Sequence, residues 1–552
     1  MRTTTCAVVL SALIGALFGG CAAPEKDIAP SASAQRAGMT RKVTTDSPQA
    51  QEWFDRGLFL CYAFDHEQAE VAFRRALEHD PNCAMAYWGI AYASGPNINN
   101  MMMDEQHSKT AHDAITKAKQ LRHGCSPVEC DLIDAMAVRY EYPAPDDRRK
   151  LDESYAEAMR EVRRKHPEDA DVGAIFAESL MDLYAWKLWT PAGEPSPVTV
   201  ELVGVLEDVL VKHPEHIGAS HDYIHTMEAS KSPGKADGAA NRLRNDSLGA
   251  PHLVHMPSHI DIRRGRYEQA VEANQNAIKA DLVRIEAVGD GGFFALYRAH
   301  NYHFLQYAAM FDGQKEVAIE AARGVVATLP PDAIEQYPLM LEGFLGAPYH
   351  AMVRFGMWDE ILAEPAPPPG RPITTATHHY ARGIALATRG KVEEARAERE
   401  AFLAAKATIP PDAFIGNNEA ATVILIGEAM LEGEIEYRAG NDDRAFELLR
   451  DAVAKNDALS YDEPWGWMQP PRHALGALLL ERGRVEEAEA VYVADLKDHP
   501  GNGWALFGLA ECYERTGRKA EHATTLAAAR KAWARSDIPL TVSCYCRVSS
   551  SR

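Results

Sequence analysis

The sequence lacks the features of a nucleic-acid-binding protein and of a protein with internal membrane spans. Its 552 residues carry 79 acidic and 58 basic side chains, for a formal net charge of −21. Binding to a phosphate backbone requires a basic surface instead. After the N-terminal segment, no stretch reaches the run of about 20 apolar residues that crosses a bilayer. We therefore expect no nucleic-acid partner and no membrane span in the body of the chain.

Motifs that carry a known catalytic mechanism are also absent from the sequence. We find no glycine-rich phosphate loop ending in Gly-Lys-Ser/Thr, no Gly-x-Ser-x-Gly turn, no His-Glu-x-x-His pair and no Gly-x-Gly-x-x-Gly after a strand. The sequence thus contains none of these usual motifs of hydrolases and nucleotide-binding enzymes. Whether the protein is an enzyme stays open at this stage.

The first 20 residues are typical of a signal peptide. Arg2 supplies the positive start, and Ala7–Gly20 is apolar but too short to span a bilayer. The string Gly19-Gly20-Cys21-Ala22 resembles the lipobox of bacterial lipoproteins, which implies acylation of Cys21. We predict a flexible Ala-, Ser- and Pro-rich tether over 21–46. The expected location is the periplasmic side of a bacterial membrane, the outer membrane in particular, held by the lipid anchor only; cleavage by an ordinary signal peptidase is the alternative.

From Gln51 the chain has the residue spacing of paired helices. Small residues let two helices approach closely, aromatic residues fill the space between them, and proline opens the link to the next pair. The positions that carry this spacing are Trp53, Gly57, Ala69, Phe73, Ala76 and Pro81. In this pattern the chain resembles the tetratricopeptide-repeat family. The resemblance implies an all-α fold, a helical-repeat solenoid or α-α superhelix.

The spacing recurs as a glycine followed five residues later by a small or apolar residue. Glycine is the expected left-handed residue after a helix C-terminus, so each pair predicts a turn between two helices. The pairs are Gly265/Ala270, Gly313/Ala318, Gly356/Ile361, Gly390/Ala395, Gly440/Ala445 and Gly483/Ala488. We therefore predict a partly irregular repeat-like region over 47–200, a regular solenoid with a histidine-lined groove over 201–530, and a C-terminal tail over 531–552.

Histidines recur at equal offsets before the packing residue of successive repeats. The offsets of 18, 15 and 11 residues differ by three and four, so these side chains form one stripe along a helix. The stripe in three consecutive repeats consists of His221, His225, His252, His255, His259, His300 and His303, and Glu228 extends it. The family resemblance implies that this face of the first helix lines the concave groove that binds ligands.

The stripe predicts a metal site. Imidazoles at i and i+4 have Cβ atoms about 5–6 Å apart, and packed helices lie about 8–10 Å apart, so rings from neighbouring helices can converge on one ion. Imidazole together with a carboxylate suits Cu, Zn, Fe or Ni. We predict that the seven histidines and Glu228 bind such a transition metal. The alternative is that they only hydrogen-bond a peptide carboxylate or a buried carbonyl.

The string His255-Met256-Pro257-Ser258-His259-Ile260 resembles a group of exported bacterial tetratricopeptide lipoproteins. That likeness supports the fold and export, and it implies no catalytic role. The leading hypothesis is a membrane-tethered protein that binds a peptide or protein partner in its concave groove and has a histidine-lined metal site. The alternatives are a metalloenzyme with Cu, Fe or Zn held by His and Glu for oxidative or hydrolytic chemistry, and a metal carrier or store.

Overall fold

The structure, a computed structural model, describes residues 40–247, 249–291 and 294–547. The predicted signal peptide over 1–20 and the predicted lipidation site at Cys21 lie outside the described residues. Within them the fold is helical, and the sheet found there is one antiparallel pair, β1 (Phe414–Ile415) and β2 (Asn418–Glu419). The prediction of an all-α helical-repeat fold is confirmed. No helix in the described part of the chain is both long and apolar enough to cross a membrane.

The chain forms two compact units. The N-terminal unit is Met1–Ile260 with Asn276–Phe294, and the C-terminal unit is Asp261–Gln275 with Ala295–Arg552. The helices of the N-terminal unit are α1 (Pro48–Tyr62), α2 (His66–His79), α3 (Ala84–Ala93), α4 (Glu105–Leu121), α5 (Pro127–Ala137), α6 (Arg149–Lys165), α7 (Ala170–Met181), α8 (Thr199–Lys212), α9 (Ile217–Met227), α10 (Asp237–Asp246) and α11 (Pro251–His255). Three helices have residues in both units: α12 (Pro257–Arg263), α13 (Tyr267–Val288) and α14 (Phe294–Asp312).

The C-terminal unit continues the succession of helices. They are α15 (Lys315–Thr328), α16 (Pro331–Gln336), α17 (Pro338–Leu341), α18 (Ala347–Arg354), α19 (Trp358–Ala363), α20 (Pro372–Thr388), α21 (Val392–Lys406), α22 (Ala420–Arg438), α23 (Asp442–Asp457), α24 (Pro471–Glu481), α25 (Val485–Asp498), α26 (Gly503–Arg515) and α27 (Lys519–Ala532). Short 3₁₀ turns occupy Arg122–Gly124, Asp182–Tyr184, Pro233–Ala236 and Glu342–Gly346.

The first helix pair shows why the repeat needs small residues. Phe73 of α2 is fully buried, and its ring packs against Phe54 of α1 with 5.5 Å between centroids. A Cβ atom added to Gly57 of α1 would lie 2.6 Å from that ring, and one added to Gly89 of α3 would lie 2.5 Å from it. Both distances are below van der Waals contact, so any larger residue would push the helices apart. The predicted packing of this pair is confirmed.

The turns between paired helices also follow the predicted pattern. Gly390, between α20 and α21, has φ = 76°, and Gly483, between α24 and α25, has φ = 73°. This left-handed conformation is costly for a residue with a Cβ atom. The other four predicted hairpin glycines also have positive φ. The spacing of glycines therefore located the turns correctly.

The described residues of the predicted tether are packed rather than free. Val43 is buried, the Arg41 guanidinium contacts Asp169 and Asp171 at 2.9 Å each, and the Thr44 hydroxyl donates to Glu129 at 2.6 Å. Composition assigned 40–46 to the tether because few of its side chains are large and apolar. The structure corrects that boundary, since a buried ion pair and hydrogen bonds anchor these residues to α5 and α7.

The predicted C-terminal tail over 531–552 is likewise packed where it is described. After α27, the Asp537 carboxylate accepts hydrogen bonds from the backbone N–H groups of Lys315 and Glu316 at 2.7 and 2.8 Å, which caps α15. Further on, Ser543 hydrogen-bonds Tyr492 at 2.5 Å, and Cys544 forms a disulfide with Cys546. The segment up to residue 547 is thus an integral part of the C-terminal unit.

Candidate metal centre

Three short helices of the N-terminal unit position the central histidines. His221 and His225 lie one turn apart on α9, whose residues are all buried. His252 and His255 lie on α11, and His259 follows on α12. Pro257 is the first residue of α12, a position where its missing N–H leaves no intrahelical bond unmade. The break between α11 and α12 therefore separates His255 from His259 without a backbone defect.

The imidazoles of three of these residues form one cluster. The candidate ligand nitrogens of His221, His225 and His252 all lie within 4.8 Å of one another. The Nε2 atoms of His221 and His252 are 3.1 Å apart. All three residues are at most 3% exposed. The structure thus brings together three of the predicted ligands in a buried position, and we call them the three-histidine cluster.

A second pair of rings and a glutamate adjoin this cluster. His259 Nε2 lies 2.6 Å from His255 Nε2. Glu228 lies between two helices, because its Oε1 contacts His225 Nδ1 at 3.0 Å and its Oε2 contacts His259 Nδ1 at 2.5 Å. Both oxygens of the glutamate are therefore engaged by histidine rings. Glu228 thus orients two histidine rings, and its role as a direct metal ligand stays a prediction.

Hydrogen bonds on one side of each ring determine which nitrogen faces inward. His221 Nδ1 donates to the backbone carbonyl of Tyr62 at 2.8 Å, since a carbonyl can only accept. An ionised Glu228 likewise receives the Nδ1–H groups of His225 and His259. In a neutral His221 ring the lone pair is then on Nε2, the atom that lies 3.1 Å from Nε2 of His252. Metal-binding histidines are commonly anchored in this way, by a carbonyl or carboxylate at the second nitrogen.

The electrostatic surroundings keep two rings of the three-histidine cluster uncharged. Burial, followed by the neighbouring His225, lowers the pKa of His221 well below its ordinary value of 6.5. Burial and the neighbouring His221 do the same to the pKa of His252. Both rings are neutral near pH 7, the protonation state in which imidazole binds metals.

The distance between ring nitrogens distinguishes the three-histidine cluster from the pair His255 and His259. Two imidazole nitrogens on one tetrahedral ion, each about 2.0–2.1 Å from it, lie about 3.3 Å apart. The 3.1 Å between His221 and His252 is close to that spacing. The 2.6 Å between His255 and His259 is shorter and fits a hydrogen bond from one ring to the other. The three-histidine cluster is therefore the better candidate for a metal ion.

Two strained aromatic residues cover the cluster. Phe64 and Trp186 are the non-glycine residues with positive φ in the described part of the chain, at 55° and 59°. The Phe64 ring lies 4.3 Å from the ring of His221 and stacks on His225 and His252, and Trp186 meets His225 edge-on at 5.7 Å. Such strain costs about 1–3 kcal/mol per residue and concentrates at functional sites. Sequence reasoning missed both residues, because no local pattern predicts a left-handed backbone conformation at a phenylalanine or a tryptophan.

The remaining predicted ligands belong to the C-terminal unit. His300 Nε2 lies 3.8 Å from Glu463 Oε2, and the His303 ring packs edge-on against Phe344 at 5.2 Å. Burial, and then His350, lowers the pKa of His303 to about 3. Participation of His300 and His303 in one site with the three-histidine cluster stays a prediction.

Comparison with known proteins places the chain among repeat proteins. A family model described as tetratricopeptide repeat matches residues 479–534, which span α25, α26 and α27. Together with the helix pairs and glycine turns described above, this match supports a helical-repeat fold of the tetratricopeptide type. No curated protein matches the sequence.

Solved structures resemble the chain only distantly. The human IFIT1 dimer with m7Gppp-AAAA is 12% identical, with 92% of this chain and 95% of that chain covered and a TM-score of 0.33. The APC/C hetero-tetramer Cut9-Hcn1 is 10% identical over 91% of this chain and 77% of that chain, with a TM-score of 0.29. Likeness at this level says nothing of a shared ligand, so the function has to be argued from the chain's own residues.

Proposed function

We propose that the protein is an exported, lipid-anchored tetratricopeptide-repeat protein that binds a peptide or protein partner and holds a transition metal in its N-terminal unit. Such solenoids commonly bind other proteins, because their stacked helix pairs form extended concave surfaces. The signal-like N-terminus with Cys21 supports export and anchoring. The metal site is supported by one observation above all: the candidate ligand nitrogens of His221, His225 and His252 lie within 4.8 Å of one another, and all three residues are buried.

The metal would be held by Nε2 of His221 and His225 and by His252. For His252 to join, its proton has to reside on Nδ1, so that Nε2 no longer donates to His221. His259 and His255 then form the neighbouring hydrogen-bonded pair, connected to the site through Glu228. Imidazole-rich sites suit Zn, Cu and Fe, and such an ion would act as a Lewis acid or a redox centre.

Burial of the cluster favours a structural or sequestering metal over a catalytic one. A catalytic ion needs an open coordination position and a path for substrate. Phe64 packs over His221, His225 and His252, and none of these three residues is more than 3% exposed. The metalloenzyme hypothesis therefore requires movement of Phe64 or Trp186, whereas a bound ion that stabilises the unit requires none.

Elemental analysis of the purified full-length protein tests the metal site. We expect one equivalent of transition metal after isolation, or after reconstitution of chelated protein with Zn²⁺, Cu²⁺ or Fe²⁺ in separate samples. The double variant His221→Gln with His252→Gln should lose it. A matched control, His107→Gln with His213→Gln, removes two histidines whose side chains are 53% and 37% exposed and should retain it. Circular dichroism checks that each variant keeps its helices.

Two outcomes would overturn this assignment. Wild-type protein that takes up no stoichiometric metal from any of the three ions excludes the site. Full metal content in a folded His221→Gln/His252→Gln variant places the metal elsewhere. Pull-down of periplasmic proteins with the same variants reports separately on partner binding, because the partner proposal does not depend on the ion.

A further inference from the structure

The segment after α27 carries a disulfide that closes a very short ring. It joins Cys544 to Cys546, so a single residue separates the two cysteines. A disulfide stabilises a fold mainly by restricting the unfolded chain, and this effect grows with the length of chain that the bond closes. A bond between residues i and i+2 restricts the unfolded chain very little. Cross-linking of the fold therefore does not explain why the segment carries this bond.

Contacts on both sides of the disulfide hold the segment in place. Before it, Ser543 hydrogen-bonds Tyr492 of α25 at 2.5 Å. After it, the Arg547 guanidinium donates to Glu511 of α26 at 2.6 Å. Neither contact involves a sulfur atom, so opening the S–S bond leaves both of them intact. The two cysteines are thus presented on a rigid surface in either redox state.

The two sulfur atoms differ in their surroundings. Cys546 is 5% exposed and packs in the hydrophobic core of the unit, whereas Cys544 is half-buried. The backbone N–H of Cys546 donates to Cys544 Sγ at 3.2 Å. A hydrogen bond of this kind favours negative charge on the sulfur. Cys544 is therefore the sulfur that an external thiol reaches first, and a donor is in place to stabilise it as a thiolate.

A small cavity beside Arg354 gives the sulfur atoms room to separate. Its volume is about 30 Å³, about the space of two water molecules, and its wall includes Gln469, Met430 and both cysteines. Bonded sulfur atoms lie about 2.05 Å apart, whereas atoms in van der Waals contact need about 3.5–4.0 Å. The cavity is large enough for a displacement of this size, so it offers the space that the reduced dithiol needs.

We propose that Cys544 and Cys546 form a redox-active pair that oxidises dithiols by thiol–disulfide exchange. A thiolate of the dithiol attacks Cys544 Sγ, the S–S bond breaks, and Cys546 leaves as a thiolate that takes up a proton. The second thiolate of the dithiol attacks the substrate sulfur of the mixed disulfide, and Cys544 leaves and is protonated in turn. The dithiol loses two electrons and two protons, and the cysteine pair gains them. This activity goes beyond the proposed function and does not depend on the metal site.

Equilibration of the full-length protein with glutathione tests the proposal. A chelator is present throughout, so that a bound metal does not affect the result. Trypsin releases residues 536–547 as one peptide with both cysteines, so alkylation of free thiols and mass spectrometry follow this pair alone. We expect the pair to change from disulfide to dithiol as the ratio of reduced to oxidised glutathione rises. A structural disulfide would stay closed, because it resists reduction by glutathione.

The rate of reduction shows whether the folded protein exposes the bond. With dithiothreitol, the pair should be reduced in native buffer at a rate within about tenfold of its rate in urea, because Cys544 is reached without unfolding. A slower native reaction, or a pair that stays closed at every glutathione ratio, contradicts the proposal.

Single-cysteine variants identify the attacked sulfur. With oxidised glutathione, Cys546→Ser should form a mixed disulfide at Cys544 at least about tenfold faster than Cys544→Ser forms one at Cys546, because the remaining thiol of the second variant is buried. Cys512 is the internal control in the same digests: it is buried in α26, burial raises its pKa to about 12, and it should stay unmodified. Circular dichroism checks the fold of both variants. Equal rates, or a faster reaction in Cys544→Ser, would refute the assignment of Cys544 as the attacked sulfur.

Discussion

Buried histidines occur in both units, but their neighbours give them different chemistry. In the N-terminal unit five imidazoles lie against one another, and two of them hydrogen-bond the carboxylate of Glu228. In the C-terminal unit His473 and His499 share Asp495, and His473 also accepts from Arg354. His221, His255 and His473 all stand fifteen residues before a packing alanine. Equal repeat register therefore puts the ring at an equivalent place, and its neighbours decide whether it joins a cluster of imidazoles or an ion-paired network.

The largest effect that distinguishes the units is expected from removing the carboxylate of the C-terminal unit. Burial by itself would raise the pKa of Asp495, but His473 and His499 lower it below its ordinary value of 3.8. Asp495→Ala leaves these rings and the nearby Arg354 without their anion, and breaking a buried ionic network costs about 3–5 kcal/mol. Urea denaturation measures the loss. Asp498→Ala, at a side chain that is 54% exposed, is the control and should change little. A near-neutral Asp495→Ala would show that the network contributes nothing.

The corresponding change in the N-terminal unit should act on metal affinity. Glu228→Gln keeps the shape of the side chain but lowers its ability to accept the Nδ1–H groups of His225 and His259. Loss of such an orienting partner typically reduces metal affinity about 10–100-fold, which is about 1.4–2.7 kcal/mol. Competition with a chromophoric chelator measures the dissociation constant. Glu207→Gln, at a side chain that is 42% exposed in the same unit, is the matched control. Equal affinity of Glu228→Gln and wild type would remove Glu228 from the site.

The pH dependence of stability should reveal the uncharged histidines of the C-terminal unit. Burial lowers the pKa of His350 to about 4, against 6.5 in an unfolded chain. Between those values the unfolded chain binds the additional proton, so the contribution to stability is complete above about pH 6.5 and is lost as pH falls towards 4. The loss is on the order of 2–3 kcal/mol. Denaturation curves of wild type and His350→Gln across this range check it: the variant should lose less stability on acidification, and parallel curves would contradict the assignment.

The smallest effect concerns two glycines with open space around them, one from each unit. Gly390 has φ = 76° in the turn after α20, whereas Gly204 lies inside α8. Alanine at 390 has to adopt a left-handed conformation, which costs about 1–2 kcal/mol. Alanine at 204 adopts the helix it favours and should stabilise by about 0.5–1 kcal/mol. Thermal unfolding should therefore shift in opposite directions, and shifts of the same sign would show that backbone conformation is not the deciding term.

Sequence reasoning recovered the fold well because the repeat is a local pattern. Gly57, Phe73 and the hairpin glycines define helix pairs through short-range sterics, and the structure places each as expected. The candidate site was recovered only in part. The offsets identified His221, His225 and His252 as residues on one face, but they could not show that Glu228 contacts His225 and His259 through different oxygens. Those contacts depend on how two helices pack.

Some features had no sequence signal. Phe64 and Trp186 adopt left-handed backbone conformations that only tertiary packing can stabilise, and Arg41 and Val43 are buried although their segment reads as a linker. The cavity beside Arg354 is formed by residues from α18, α20, α22, α23, α24 and the segment after α27. No local pattern relates such distant positions.

The amino-acid sequence by itself determined the helical repeat, the turns and the histidine face, because each follows from contacts between residues a few positions apart. Tertiary structure alone decided which imidazoles meet, which nitrogen of His221 faces its neighbour, and which groups surround a buried arginine. Those outcomes depend on the separation and burial of groups on different helices, and both quantities are set by packing over the whole unit.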